Sequence, residues 1–389
     1  MIIDKKIVES VKESNKKNIN IVIDRLIKTF FSEILSEKDV KLLNLTFSEN
    51  PTQEVLDEFL KDYDIETVGG SKVILLSYFM KLHPQLNFTV YEQNRLKGLL
   101  NFYKFQNLKI ISHYSKVGRE LNKENIPFII LKGGAMRFLR PEFARTMSDI
   151  DILVPEQNFE QVKQISTDLG YDYQDCFHSI DLHPKGTEEG TVDIHQWIEM
   201  GTGKETSINK ELFERATKQK VFNIEAYVPC YEDLFFLTLV NMAKNLREKS
   251  SPHAVLFALH DCKFFLEQKP DFNWNIVIQN AKKTKSEMQV GFAIKFINKI
   301  VPNLLPEDFS HEVMFEKAIQ DYCKEVTFER YIFEPLQEYS RNMKIQDAFK
   351  TFNGILHYIK TKSTYKFYKK IRKDRQIIHL IYDIWAKAQ

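Results

Sequence analysis

Apolar residues recur at three- and four-residue spacing through the first third of the chain. This spacing is typical of helices that bury one stripe of side chains. One stripe runs from Ile23 to Ile34, and the pattern returns over residues 73–82 and 91–121. The segment from Asn87 to Asn125 is the longest predicted helix. We interpret residues 1–125 as a helical domain for support or recognition.

The pattern changes at Ile126-Pro127, where short apolar runs replace the helical stripes. Short runs between turn residues are typical of strands. The predicted strands cover residues 128–131, 149–154, 171–183, 191–198 and 221–228, and the predicted helices cover residues 135–139 and 155–169. A loop rich in turn residues separates the third and fourth strands, which therefore form a hairpin or lie as neighbours. We predict a small mixed sheet over residues 126–228.

Helical spacing returns after Pro229 and continues to the end of the chain. The predicted helices in this part include residues 229–246, 254–266, 274–284 and 287–301. We therefore predict a C-terminal helical domain over residues 229–389. The predicted fold class is α+β, with a small mixed-sheet core flanked by N-terminal and C-terminal helical domains.

The amino-acid composition limits the classes of protein to which the chain can belong. The 389 residues are 43% hydrophobic and 28% charged, as in globular proteins. A net charge of +2 does not favour a nucleic-acid partner, and we interpret the basic run from Lys360 to Arg375 as a solvated helix face. No apolar run reaches about 18 residues, so we expect no membrane span and no signal peptide. Four cysteines without a Cys-x-x-Cys pair favour reduced thiols in the cytoplasm.

Asp149 and Asp151 lie one residue apart in an otherwise apolar predicted strand. Strand alternation puts both carboxylates on one face, about 7 Å apart. Paired carboxylates at this spacing can bind hard cations such as Mg²⁺. The alternative is an edge strand that turns a polar face to water.

Three further features favour a phosphoryl-transfer site. Gly133-Gly134 stands between a predicted strand and a predicted helix, where backbone N–H groups can approach a phosphate. Asp193 lies in another apolar strand, with His195 and Trp197 on the same face, and could bring a third carboxylate. The third feature is a group of basic residues that could neutralise triphosphate charge: Lys132, Arg137, Arg140 and Arg145.

Several other residues have two interpretations. His178, His183 and His195 could be a zinc set, although their spacing is unlike a compact structural zinc site. His195 is better interpreted as a second-shell or substrate-side residue beside Asp193. Lys244 could reach phosphate across a cleft or could be a solvated cation. Asp261 could be a buried hydrogen-bonded acid or a substrate contact.

The motifs together resemble a known family. They are Leu131-Lys132-Gly133-Gly134, then Arg145 to Val154 with Ser148-Asp149-Ile150-Asp151, then Val192-Asp193-Ile194-His195. This series resembles the polymerase β-type nucleotidyltransferase superfamily, most closely the bacterial uncharacterised nucleotidyltransferase family, over about residues 126–285. The resemblance implies Mg²⁺ or Mn²⁺ held by Asp149, Asp151 and Asp193. It also implies nucleotide contacts from Lys132, Gly133, Gly134, Arg145 and Ser148.

We therefore predict a metal-dependent enzyme that moves a nucleoside monophosphate from a nucleoside triphosphate to an acceptor hydroxyl, releasing pyrophosphate. Asp193 would complete the site and serve as general base. The acceptor is a small molecule, a peptide or a macromolecule, and the sequence does not identify it or the oligomeric state. The alternatives are a toxin-like or defence enzyme that modifies a protein or tRNA, and an interaction protein whose catalytic core has lapsed.

Overall fold

The computed structural model describes residues 35–67, 69–143, 145–186, 191–198, 207–248, 252–302, 304–306 and 309. All of them belong to one compact unit, Ser32–Ser310. The predicted stripe from Ile23 to Ile34, the helices predicted beyond residue 309 and the basic run from Lys360 to Arg375 lie outside the described residues.

The described residues form a mixed α/β structure, which confirms the predicted fold class. The helices are α1 (Glu37–Phe47), α2 (Gln53–Asp62), α3 (Gly70–Leu82), α4 (Val90–Lys123), α5 (Lys132–Leu139), α6 (Phe159–Asp168), α7 (Asn209–Arg215), α8 (Tyr231–Glu248), α9 (Pro252–Gln268), α10 (Trp274–Thr284) and α11 (Glu287–Ile300). The strands are β1 (Ile129–Ile130), β2 (Ile150–Leu153), β3 (Tyr171–Asp175), β4 (Ser179–Pro184), β5 (Val192–His195), β6 (Thr217–Val221) and β7 (Ile224–Val228).

The long helix α4 begins at a capping box. The Thr89 side chain accepts a hydrogen bond from the Glu92 N–H at 3.2 Å, and the Glu92 carboxylate accepts one from the Thr89 N–H at 2.7 Å. Two backbone donors that a helix start would leave unpaired are thus satisfied. The helix is 34 residues long and contacts β2, β5 and β7, so it lies against the centre of the sheet.

The seven strands form one sheet in the order β3-β4-β5-β2-β1-β7-β6. Strand β2 is parallel to β5 and antiparallel to β1, while β1 is parallel to β7. The remaining pairs are antiparallel. All four residues of β2 are buried, and the strand lies in the middle of the sheet. The edge-strand interpretation of Asp149 and Asp151 is therefore wrong.

Two predicted elements differ in detail. The run at 171–183 is two strands, because the chain turns at residues 176–178 and β3 pairs back onto β4. The helix predicted from Pro155 starts with a 3₁₀ turn, Glu156–Asn158, before α6. Gly170 follows α6 with φ +83°, a left-handed conformation that glycine adopts readily. No helix among the described residues is long and apolar enough to cross a membrane.

Candidate active site

A row of three aspartates crosses the middle of the sheet. Asp151 of β2 is in register with Asp193 of the parallel strand β5, and Asp193 is in register with Asp181 of the antiparallel strand β4. Residues in register on neighbouring strands point to the same face. Asp149 precedes β2 and lies on that face by strand alternation. The fold thus brings Asp151 and Asp193 together with Asp181, which the sequence interpretation missed, while the group able to share a metal among the described residues does not include Asp149.

His195 closes the row on the buried side. Its Nε2 lies 3.0 Å from Asp151 Oδ1 and 3.1 Å from Asp193 Oδ2. A protonated Nε2 donates hydrogen bonds to these oxygens, and the neutral tautomer with its proton on Nδ1 leaves the Nε2 lone pair for a metal ion. Asp151, Asp193 and His195 each offer one ligand atom, and these atoms lie within 4.8 Å of one another. His195 is therefore in direct contact with both carboxylates, next to Asp193 as the sequence predicted.

The charges in the row perturb one another. Burial opposes ionisation of Asp151, but the Lys132 charge and the hydrogen bond from His195 outweigh it and hold the pKa of Asp151 below its usual range. Burial also opposes protonation of His195, yet its bonds to Asp151 and Asp193 raise its pKa. Burial and the neighbouring Asp151 carboxylate raise the pKa of Asp149 to about 6. Repulsion between packed carboxylates is the ordinary cause of such a split.

Lys132 supplies a positive charge at the start of α5. Its Nζ donates a hydrogen bond to Asp151 Oδ1. The residue has a φ of +43°, in the left-handed region that a non-glycine residue rarely occupies. Such a backbone costs about 1 kcal/mol and commonly marks a functional turn. The turn after β1 thus aims a lysine at the aspartate row.

The two glycines differ in their surroundings. A Cβ on Gly134 would lie 3.0 Å from side-chain atoms of Ile130 and Ile150, so a bare backbone lets α5 pack closely on the sheet. A Cβ on Gly133 would meet nothing closer than Met147 at 3.6 Å. Steric demand for glycine is therefore strong at Gly134 and weak at Gly133.

The loop before β2 is held from two sides. Asn107 of α4 donates to the Arg145 carbonyl at 2.6 Å and accepts from the Met147 N–H at 3.2 Å. The Arg145 guanidinium forms an ion pair with the buried Asp261 of α9. These contacts fix the backbone that leads into Asp149. Ser148, by contrast, is exposed, with its Oγ 3.3 Å from Asp149 Oδ1.

The remaining predicted cations lie away from the row. Arg140 is buried, with its guanidinium 4.2 Å from the Phe143 ring centroid and 4.7 Å from that of Phe264. Arg137 donates to the Pro141 carbonyl. Lys244 is exposed on α8, and no contact with the aspartate row is found among the described residues.

The three histidines do not converge as a zinc set. The His178 ring stacks on the His195 ring at 5.5 Å between centroids, whereas His183 Nε2 lies 3.4 Å from Asp181 Oδ2. The cluster capable of holding a metal, among the described residues, combines two aspartates with one histidine.

An open cleft of about 430 Å³ lies beside the row, between α4 and the starts of β2 and β5. Its lining includes Gln106 and Lys109 of α4, Asp149, and Asp181 of β4. Burial, opposed in part by the charge of His183, raises the pKa of Asp181, and the Asp193 carboxylate adds to the rise. No local sequence pattern indicated Asp181, because its position beside Asp193 depends on the pairing of β4 with β5.

One carboxylate oxygen of the Asp151 and Asp193 pair, Asp193 Oδ1, is buried and has no hydrogen-bond partner within the described part of the chain. Buried polar atoms of this kind normally find a donor or an ion. Carboxylate oxygens are the ligands that Mg²⁺ and Mn²⁺ prefer. The residues present therefore fit a divalent metal ion.

A model of the uncharacterised nucleotidyltransferase family matches residues 80–302. This span is more than half of the chain and contains all of the predicted site residues. The chain belongs to the uncharacterised nucleotidyltransferase family, as the resemblance of its motifs predicted. Membership supports nucleotidyl transfer, with a nucleoside triphosphate and an acceptor as substrates, as the general reaction.

Among solved structures, the antibiotic-resistance factor ANT(2'')-Ia matches 50% of this chain and 91% of its own length. The two sequences are 11% identical, and the TM-score is 0.26. A similarity of this size does not bear on substrate or mechanism. No curated protein matches the chain.

Proposed function

We propose that the chain is a metal-dependent nucleotidyltransferase that transfers a nucleoside monophosphate to an acceptor hydroxyl. The acceptor oxygen forms a bond to the α-phosphorus, the bond from that phosphorus to the bridging oxygen breaks, and pyrophosphate leaves. The observation that carries the proposal is the pairing in register of Asp151 with Asp193, whose Oδ1 is buried and has no hydrogen-bond partner among the described residues.

Asp149, Asp151 and Asp193 would hold Mg²⁺ or Mn²⁺, with His195 in contact with the last two. When bound, the metal would neutralise phosphate charge and stabilise the charge that develops during transfer. His195 contacts Asp151 and Asp193 and would keep these two carboxylates in fixed positions. Asp193 would also accept the proton of the attacking hydroxyl.

The triphosphate would lie on the Lys132 side of the row. Lys132 has its ammonium group at Asp151 and the flexible stem that phosphate recognition needs. Gly133 and Gly134 would present the first turn of α5, whose dipole favours anions. Arg145 and Ser148 would contribute from the loop before β2. Selection of the acceptor would then depend on the helices that flank the residue 126–228 core.

The test is incubation of the purified protein with each labelled nucleoside triphosphate, Mg²⁺ or Mn²⁺, and candidate acceptors, with pyrophosphate release as the readout. We expect release from wild type and its loss in Asp149→Asn and in Asp151→Asn, with circular dichroism unchanged. Full activity in both variants would show that these carboxylates do not hold the metal.

A further inference from the structure

The two flanks of the aspartate row differ in charge. On one flank, β1 lies next to β2 and leads into Lys132, which contacts Asp151. On the other flank, β5 and β4 lead to Asp181 and to the cleft beside α4. The ammonium group of Lys132 therefore lies at the first flank. At the second flank the row ends with Asp181, whose Oδ1 has no hydrogen-bond partner among the described residues.

In an in-line displacement, one flank must hold the attacking oxygen and the other flank must hold the leaving oxygen. The attacking and leaving oxygens lie on opposite sides of the transferred phosphorus. If pyrophosphate leaves on the Lys132 flank, as the proposed function has it, the acceptor hydroxyl must approach from the Asp181 flank. The cleft is the space on that side of the row.

The lining of the cleft indicates what it would bind. Its volume of about 430 Å³ is that of a small-molecule site. Gln106 and Lys109 of α4 place an amide and an ammonium group around it, and Asp149 and Asp181 place two carboxylates. These groups match the donors and acceptors of a hydroxyl-rich molecule.

Asp181 has one oxygen engaged and one without a partner. Oδ2 lies 3.4 Å from His183 Nε2, which fixes the carboxylate from behind. Oδ1 is buried and has no hydrogen-bond partner among the described residues. The Asp181 side chain as a whole is 36% exposed and lines the cleft, so its carboxylate lies within reach of a ligand hydroxyl there.

We propose that this cleft is the acceptor site, that the acceptor is a small hydroxyl-rich molecule, and that the Asp181 carboxylate accepts a hydrogen bond from it. The proposal rests on the proposed function, since it presumes transfer at the aspartate row. It adds to the proposed function the chemical class of the acceptor and one residue that binds the acceptor.

The test compares Asp181→Asn with Asp172→Asn, a matched change on the exposed strand β3. Labelled nucleoside triphosphate and Mn²⁺ are incubated with two sources of acceptor: a defined mixture of monosaccharides and polyols, and the macromolecular fraction of a cell extract. We expect labelled small products from wild type and Asp172→Asn. Asp181→Asn should reduce their initial rate by about tenfold to a hundredfold, the usual effect of losing a hydrogen bond to a charged group.

Binding of Mn²⁺ with a nucleotide analogue that resists cleavage separates this inference from the proposed function. Asp181→Asn should bind the pair as wild type does, because Asp181 lies on the acceptor flank. Gln106→Ala, on the opposite wall, should weaken transfer and likewise preserve nucleotide binding.

Two results would overturn the inference while nucleotide binding stays intact. One is an equal rate for Asp181→Asn and Asp172→Asn. The other is label that enters the macromolecular fraction, or neither source, instead of the small molecules. If wild type neither binds the nucleotide nor releases pyrophosphate, the proposed function itself is wrong, and this inference falls with it.

Discussion

Asp193 and Asp233 are both acids within the folded unit, but their surroundings are opposite. Asp233, at the start of α8, is completely buried and accepts hydrogen bonds from Arg215 at 2.6 and 2.9 Å. Asn280 donates to it at 2.8 Å. Asp193 is less buried, lies next to two other aspartates in the row, and retains an oxygen without a partner among the described residues.

The comparison shows that burial of an acid does not by itself mark a functional site. Asp233 forms a structural ion pair with Arg215, and each of its carboxylate oxygens accepts hydrogen bonds. Unpaired oxygens also occur on Glu232 and Asp261, but each of these acids has its own cation, Lys269 or Arg145. The aspartate row differs because several carboxylates share one lysine and two histidines, His183 and His195. Such an excess of negative charge is stable only with a further cation nearby.

The largest expected effect is on catalysis. Asp193→Asn keeps the size of the side chain but removes a charge from the row, so we expect the transfer rate to fall by about a thousandfold or more. The free energy of unfolding should change by less than about 1 kcal/mol, because the substitution also relieves repulsion. Initial rates and urea unfolding measure the two quantities. A large loss of stability would place Asp193 with the structural acids.

Asp233→Ala should lower the stability of the fold and leave the transfer rate nearly unchanged, which is the opposite of the result expected for Asp193→Asn. Removing one partner of a buried ion pair leaves Arg215 uncompensated and costs about 3–5 kcal/mol of unfolding free energy. The rate per folded molecule should stay within about twofold of wild type, since distant sites act independently. Urea unfolding and rates measured well below the transition check this. Lost activity in fully folded protein would contradict the structural assignment.

The pH dependence of stability tests the same contrast at His260, a buried ionisable residue outside the aspartate row. Burial, together with the charges of Arg140 and Lys263, lowers the pKa of His260 to about 3. The unfolded chain binds the proton below about pH 6.5 and the folded chain does not, so stability falls as pH drops through this window. Between pH 7 and pH 5 this residue should account for about 2 kcal/mol of lost stability. His260→Gln should have a correspondingly flatter pH dependence; an unchanged slope would show that the buried ring takes up the proton.

The smallest effect concerns the glycine turn. Gly134→Ala should destabilise the fold by about 1–2 kcal/mol, because the new methyl group would crowd Ile130 and Ile150. Gly98→Ala is the control, since a Cβ there meets no atom within 4 Å and alanine favours a helix by up to about 1 kcal/mol. Thermal unfolding of both variants measures the difference. Equal shifts would mean that Gly134 is not needed for packing.

Much of the fold could be predicted because its signals are local. Helical spacing indicated α4, and apolar runs indicated β1 and β2. The break between β3 and β4 was missed because alternation continues through the turn. Strand β6 was missed because four of its five residues are exposed and carry no apolar pattern.

The site was predictable only where the chemistry lies in neighbouring residues. Asp149 and Asp151 are two positions apart, so strand alternation alone places them together. Other contacts depend on strand register, which is set by turns and by packing across the sheet. Register places His195 against both Asp151 and Asp193, and it places Asp181 beside Asp193. The pairing of Arg145 with Asp261 joins residues far apart in the chain, and no local pattern indicates it.

The most direct test of the central claim is calorimetric titration of Mn²⁺ into the protein with a nucleotide analogue that resists cleavage. Wild type and Asp233→Ala, the latter under conditions where it is folded, should bind the metal equally. Asp193→Asn should bind it at least about tenfold more weakly, because the aspartate row has lost a ligand. Equal Mn²⁺ affinity in wild type and Asp193→Asn would contradict the account, because Asp193 would then have no part in holding the metal.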